Sequence, residues 1–309
     1  MIFAAGLTPA WQQILVFDRL VPGQVNRALE AHWAASGKVL NAGLALYHLG
    51  TDSMTLAVLG GLPGKSIDEE FRSLAVPHRW VWSERPTRTC TTILEGSNNV
   101  TTELVENAAP ISTGELESFV KAYEEVVKHA RFVVLSGSLP AGTPRTFYRD
   151  LIERTPGRVI LDASGEELAE ALPCKPQLVK PNRDELGRTT GKQLHSTDDV
   201  KKAMTEVRRR GAQVVLVSHG GDELWACWDA GFRVFHPPRI AVVNPIGSGD
   251  CLAAGVAAAL DSGLDMGEAI RFGMAAAADN AGMLLPARLD PDRVRALMDQ
   301  VESEAAGGY

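Results

Sequence analysis

The sequence predicts an α/β protein built on a mainly parallel sheet with helices on both faces. Three observations predict it. Short runs rich in Val, Ile and Leu alternate with longer helical patterns. The runs are apolar throughout, as strands covered on both sides require. Glycines stand just past the helical patterns, where a helix commonly stops. The first run, Met1–Leu7, has no basic residue before it and reads as a buried strand more than as a signal peptide. Thr55–Leu59, Arg131–Leu135, Val159–Asp162, Gln177–Lys180 and Val214–Ser218 follow as strands. Helical patterns cover Lys38–Leu49 (ended by Gly50), Gly114–His129, Thr197–Arg210 (ended by Gly211) and Gly249–Leu260.

Two stretches break the rhythm. Ile14–Trp33 is strand-like around Val21-Pro22-Gly23, and Arg88–Glu106 reads as a hairpin around Gly96-Ser97-Asn98-Asn99. Neither has a helix to cover it. Two stray surface hairpins are one reading. A small β-sheet lid is the other, favoured because a face with Trp33, Ile93 and Val100 needs a cover, either substrate or a second subunit. The expected organisation is a single domain over residues 1–309, with a lid from about 10–36 and 87–108.

The chain of 309 residues is long enough to bury a sizeable core without a metal or disulfide staple. Its 31 Lys and Arg against 38 Asp and Glu leave a net charge of −7, which argues against a nucleic-acid binder. An anionic small molecule is not excluded, because a few local cations suffice to hold one. Cys90, Cys174, Cys227 and Cys251 are scattered, with no Cys-x-x-Cys pair, as in a reduced cytoplasmic protein. No run approaches the roughly 18 apolar residues of a membrane span.

Gly60-Gly61-Leu62-Pro63-Gly64-Lys65-Ser66 imitates a P-loop but is one residue short, with Leu59 where the first glycine belongs. A P-loop wraps backbone N–H groups around phosphates, so its length is part of its chemistry. A glycine-rich strand–helix turn is the better reading. No Gly-x-Gly-x-x-Gly joins a strand to a helix, so a dinucleotide site has little support.

The segment that carries chemistry is Asn244-Pro245-Ile246-Gly247-Ser248-Gly249-Asp250-Cys251. It follows a strand-like run, Ile240–Val243, and opens an Ala-rich helix. Free N–H groups at a helix start bind anions, and Gly247 and Gly249 let the backbone approach a phosphoryl group. Asp250 in the first turn is either a cap or a general base at an anion hole. Capping alone requires neither the two glycines nor Pro245, so the base is favoured.

These residues resemble the second signature of the ribokinase-like, or PfkB, sugar kinases, written Thr-x-Gly-Ala-Gly-Asp. The resemblance runs over nearly the whole chain. It includes Pro22-Gly23-Gln24-Val25-Asn26-Arg27, Ser36-Gly37-Lys38-Val39-Leu40-Asn41, Gly137-Ser138-Leu139-Pro140, Leu161-Asp162-Ala163-Ser164-Gly165 and Lys180-Pro181-Asn182-Arg183-Asp184-Glu185-Leu186. The nearest branch is that of 1-phosphofructokinase and tagatose-6-phosphate kinase.

The resemblance implies a ribokinase-like doubly wound fold and transfer of the ATP γ-phosphate to a sugar-phosphate hydroxyl. Asp250 would take the hydroxyl proton, and the backbone of Gly247, Ser248 and Gly249 would form the anion hole. Asn182 and Glu185 would organise Mg²⁺, largely through water, where a capped helix with a solvated Glu is the alternative. Lys180 would approach the ATP phosphates. Ser218-His219-Gly220-Gly221-Asp222-Glu223 partly matches the loop beside ATP, placing Ser218, Gly220 and Gly221 there, and Asn280 would flank adenine. Gly37, Lys38, Asn41 and Ser138 would face the acceptor. Arg88 would grip its existing phosphate through a planar fork, with Arg27 as a second cation or an exposed lid residue. The lid implies a homodimer.

The departures lie on the acceptor side. The family's Asn-Pro-Ala-x-Asp reads Thr8-Pro9-Ala10-Trp11-Gln12 here, so a neutral amide replaces the carboxylate that holds sugar hydroxyls. The family's di-glycine is reduced to Ser36-Gly37, and Val39 replaces the glycine after the Lys; the phosphate-transfer end is intact apart from Cys251, which replaces the usual Ser. Arg88 and Lys38 favour a phosphorylated acceptor. The competing readings are a kinase for an unphosphorylated sugar or nucleoside, and a non-catalytic sensor of sugar phosphate or nucleotide.

Overall fold

The computed structural model describes residues 1–219 and 221–306. The chain opens with β1 (Ile2–Ala5), leaves the body for β2 (Ala10–Phe17) and β3 (Glu30–Ser36), and returns through α1 (Lys38–His48). After β4 (Ser53–Gly60), α2 (Gly61–Ser73) and β5 (His78–Ser83), the hairpin β6 (Arg88–Glu95) and β7 (Val100–Val105) leaves it again. Next come α3 (Thr113–Val127), β8 (Phe132–Ser136), α4 (Phe147–Glu153), β9 (Arg158–Asp162), α5 (Gly165–Ala171) and β10 (Leu178–Val179). Then follow α6 (Arg183–Thr190), α7 (Thr197–Arg209), β11 (Val214–Ser218), β12 (Leu224–Trp228) and β13 (Gly231–His236). The chain closes with α8 (Ser248–Asp261), α9 (Met266–Ala281), α10 (Pro291–Met298) and β14 (Glu302–Ala305).

The main sheet has ten strands in the order β14-β13-β12-β11-β10-β9-β8-β1-β4-β5. Pairings from β11 through β5 are parallel, and β12, β13 and β14 add an antiparallel edge. The apolar runs are apolar because both faces are covered. Ile2 and Ala4 of β1 enter one core with α1, α8 and α9, while Phe3 and Ala5 enter the other with α3, α4 and α7. From β1 the chain steps to β4 and β5 on one side, and β8 to β11 run on the other. This reversal of strand order opens a crevice at the carboxyl ends of β1 and β8, where open α/β sheets bind ligands.

β3, β2, β6 and β7 form a separate four-stranded sheet from the two uncovered stretches. Register puts Trp33 opposite Gln13, Gln13 beside Thr91, and Thr91 opposite Leu104. Trp33, Ile93 and Val100 therefore share a face, as expected. Trp33 is 45%, Val100 44% and Leu104 55% exposed, whereas Ile93 is buried. Trp11 stacks on Trp33 across this face, ring centroids 5.9 Å apart. The opposite face carries Gln12, Ser36 and Arg88.

One sequence expectation differs from the structure. Ile240–Val243 is a loop, with Val242 and Val243 exposed. The sheet edge beyond β13 is taken by β14, and the loop is held by the Val243 and Asn244 N–H groups on the Ala281 carbonyl. The P-loop look-alike is the strand–helix turn read from the sequence: β4 runs to Gly60 and α2 starts at Gly61, so Lys65 and Ser66 are helical and no phosphate cradle forms.

Candidate active site

The helix N-termini are closed in different ways. α3, α6, α7 and α9 close theirs with side-chain capping boxes. α1 and α8 start from Gly37 and Gly247, without a side-chain cap, and both point into the crevice. Gly247 has φ 85°, and a Cβ there would come 3.1 Å from Asn41 Nδ2 and 3.2 Å from Pro286 Cβ, so only glycine fits. A Cβ on Gly249 would sit 3.1 Å from Lys180 Nζ. The Lys180 ammonium thus lies directly against the start of α8. Ser248 N–H donates to the Pro245 carbonyl and Asp250 N–H to that of Gly247. The N–H groups of Gly247 and Gly249 have no partner among the described residues and remain available to an anion.

Asp250 is buried at this helix start and accepts a 2.7 Å hydrogen bond from Asn41 Nδ2 on its Oδ2. Asn41 Oδ1 in turn accepts from Ser36 Oγ at 3.1 Å. Burial and the nearby Asp162 carboxylate push the Asp250 carboxyl up to about 7, against the opposing pull of Lys38, Asn41 and Lys180. A buried carboxyl titrating near neutrality is suited to accept a proton.

Asp162, at the end of β9, belongs to the Leu161–Gly165 segment, and the sequence assigns it no role of its own. It is 1% exposed and lies between two ammonium groups, Lys38 Nζ at 3.0 Å and Lys180 Nζ at 3.4 Å. Burial alone would raise its carboxyl; Lys180 and Lys38 outweigh burial and hold it below the usual carboxylate range. Burial likewise opposes the charge on Lys38, and Asp162, Glu185 and Asp250 overcome it and raise the ammonium above its ordinary value. The signal available in the sequence was the strand-end position itself, since the carboxyl ends of parallel strands line the crevice.

Asn182 and Glu185 bond each other. Asn182 caps α6 by accepting from the Glu185 N–H, and Glu185 Oε2 accepts the Asn182 N–H, each at 2.8 Å. The other carboxylate oxygen of Glu185 lies 3.7 Å from Lys38 Nζ. Asn280 is fully buried; its amide donates to the Ile246 carbonyl and to Ser248 Oγ and accepts the Ala287 N–H. In this arrangement it braces the loop before Asp250 and presents no free atom to a nucleotide. Ser218 ends β11 and bridges to Asn182, and Gly221 is exposed beyond it. Gly220 lies outside the described residues.

A cavity of about 320 Å³ opens beside this cluster, walled by Lys38, Arg88, Ser138, Tyr148, Glu185 and Arg188 among others. Asp250 is not on its wall. Arg88 is seated on the carbonyls of Thr8, Pro9 and Glu106 at 3.2–3.3 Å. Arg188, in the second turn of α6, belongs to no motif, so the sequence gives no signal for it. Gln12 does not reach the cavity. It is 2% exposed and donates to Thr92 Oγ1 at 2.7 Å, because a neutral amide on this face finds a hydroxyl within the lid. Arg27 is exposed on the lid loop.

An α/β body with a small β-sheet lid and a glycine helix start beside buried Asp and Lys is a ribokinase-like fold, and the family match makes the class an ATP-dependent carbohydrate kinase. The chain belongs to the pfkB family of carbohydrate kinases, whose model matches residues 10–282. It is similar to phosphofructokinase-2 from Escherichia coli in complex with substrates and products, with 26% identity over 96% of this chain and 98% of that one and a TM-score of 0.87. It resembles a possible 1-phosphofructokinase from Thermotoga maritima, with 21% identity, 99% of both chains and a TM-score of 0.91. Ribokinase from the same organism matches over 96% of this chain and 99% of its own, with 18% identity and a TM-score of 0.78. Among the described residues no helix is long and apolar enough to cross a membrane.

Proposed function

We propose that this kinase transfers the γ-phosphoryl group of ATP to a hydroxyl of a sugar phosphate, with Asp250 as general base. The observation that carries the reading is the Asp250 site: a buried carboxyl held on one oxygen by Asn41, next to Lys180 and two N–H groups without a partner among the described residues. Oδ2 is occupied by Asn41, so Oδ1 takes the proton as the hydroxyl oxygen attacks phosphorus. Charge developing on the transferred group falls to Lys180 and the N–H groups of Gly247 and Gly249, which are oriented before reaction begins.

Mg²⁺ fits the donor set. Glu185 keeps one carboxylate oxygen outside its capping bond, and a strongly hydrated ion needs few protein ligands. Asn182 and Glu185 would hold it largely through water, where it would neutralise the ATP phosphates. For the acceptor, Arg88, Arg188 and Lys38 bring three cations to one cavity in a protein of net charge −7, which supports a phosphorylated sugar. The chain is read as one catalytic body whose lid pairs with a second copy through the face of Trp33, Val100 and Leu104.

An ADP-release assay with Mg²⁺ and a panel of phosphosugars, free sugars and nucleosides tests the reading. Fastest turnover is expected with a phosphosugar. Free sugars or nucleosides that outrun every phosphosugar would overturn the acceptor class.

A further inference from the structure

We infer that Ser36 is a positioning residue for Asp250: its hydroxyl orients the Asn41 amide, and that amide holds the carboxyl in its ionised, proton-accepting form. The role given to Asp250 rests on the reading above; the hydrogen-bond relay does not.

Ser36 is the last residue of β3 and is paired with Ala10 across the lid. Ser36, Asn41 and Asp250 are 1%, 2% and 6% exposed, so water cannot readily replace a missing partner. An amide has unlike ends. Only its NH₂ end suits a carboxylate, and here Nδ2 faces Asp250 Oδ2 at 2.7 Å. That orientation turns Oδ1 into a buried site needing a donor, and Ser36 Oγ at 3.1 Å is its only donor among the described residues. Without the hydroxyl, a buried carbonyl oxygen is left unsatisfied, which is costly. The reversed amide then competes: it presents Oδ1 to Asp250, an arrangement that suits only the protonated acid. Ser36 stands where the motif it resembles carries glycine.

The other charged groups bearing on Asp250 are Asp162 from β9, Lys38 from α1 and Lys180 following β10. None contacts the Ser36 hydroxyl. A change at Ser36 therefore reaches Asp250 through Asn41.

The test is a ¹³C NMR titration of aspartate carboxyls in the full chain, for wild type, Ser36→Ala, Ser36→Gly and Ser36→Thr, with near-UV circular dichroism as the check of fold. Loss of one such hydrogen bond is expected to raise the Asp250 midpoint by about half to one pH unit in the Ala and Gly variants. Thr keeps the hydroxyl and is expected to restore the wild-type midpoint. In the ADP-release assay the acidic limb moves by the same amount and the rate at pH 7 falls about 2- to 6-fold, with KM for ATP unchanged. An unchanged midpoint in both Ala and Gly, or an equal shift in Thr, would overturn the relay. Absence of turnover by the wild type on every acceptor would instead remove the kinase role of Asp250, and the NMR titration would still decide the relay.

Discussion

Arg288 pairs with Glu70, 218 residues away in the chain, and Glu70 uses its other carboxylate oxygen to accept the Ala35 N–H of β3. Arg288 follows Ala287, whose N–H is held by Asn280, and Pro286, which packs against Gly247. One ion pair thus clasps the root of the lid to the segment between α9 and α10 that packs against Gly247. Arg288 is 12% and Glu70 19% exposed, so removing one partner leaves the other poorly solvated. Glu70→Ala is expected to cost about 3 kcal/mol in denaturant unfolding. The double change to Ala at both positions should cost less than the sum of the single ones. Full additivity would show that the pair does not act as a unit.

Asp250→Asn is expected to reduce turnover by about 10²- to 10⁴-fold while ATP still binds, as a tritration of ATP by calorimetry would check. The wild-type rate should rise with pH through about 7 as the carboxyl ionises. Stability has the opposite sign. The folded-state value lies above the ordinary 3.8, so the native protein binds more protons than the unfolded chain and loses stability as pH rises from about 4 to 7. The Asn variant escapes that loss, and its Tm should exceed that of the wild type at pH 8 but not at pH 4.

Asp162→Asn removes the counter-ion shared by Lys38 and Lys180. The carboxyl is held below its unfolded value, so its contribution to stability is present above that value and fades as pH falls through the folded one. The variant should be destabilised at pH 7 and approach the wild type in strong acid. It should also shift the acidic limb of activity downward, because Asp162 is one of the groups raising Asp250. An upward shift would contradict that arrangement.

Arg88→Ala and Arg188→Ala are each expected to raise KM for a phosphosugar about tenfold or more, as loss of a charge-assisted contact implies. KM for ATP should hardly change. Arg88 also anchors the Thr8, Pro9 and Glu106 carbonyls, so its removal should lower Tm, whereas removal of the exposed Arg188 should not.

Trp33→Glu places a charge on the exposed lid face beside Trp11, Val100 and Leu104. A dimer in the wild type and a monomer in the variant are expected by light scattering. Monomers of both would dissociate the lid face from self-association.

The sequence by itself determined the alternation of buried strands and helices, the two uncovered stretches of the lid, and the glycine helix start with Asp250. Each is local: strand apolarity follows from burial on both faces, and Gly247 from a positive φ that other residues resist. Ile240–Val243 shows the limit of such signals, since an apolar run becomes a strand only if an edge is free to receive it, and β14 holds that edge. Tertiary structure alone decided which polar groups meet. Asp162 from β9, Lys38 and Asn41 from α1, Ser36 from β3 and Lys180 after β10 converge at one site, and the charges of Asp162, Lys38 and Asp250 depend on one another and on burial. The same holds for Asn280, Arg188 and the Glu70–Arg288 clasp. Pairings between residues far apart in the chain carry no spacing rule, because the fold and not the sequence interval sets the distance between them.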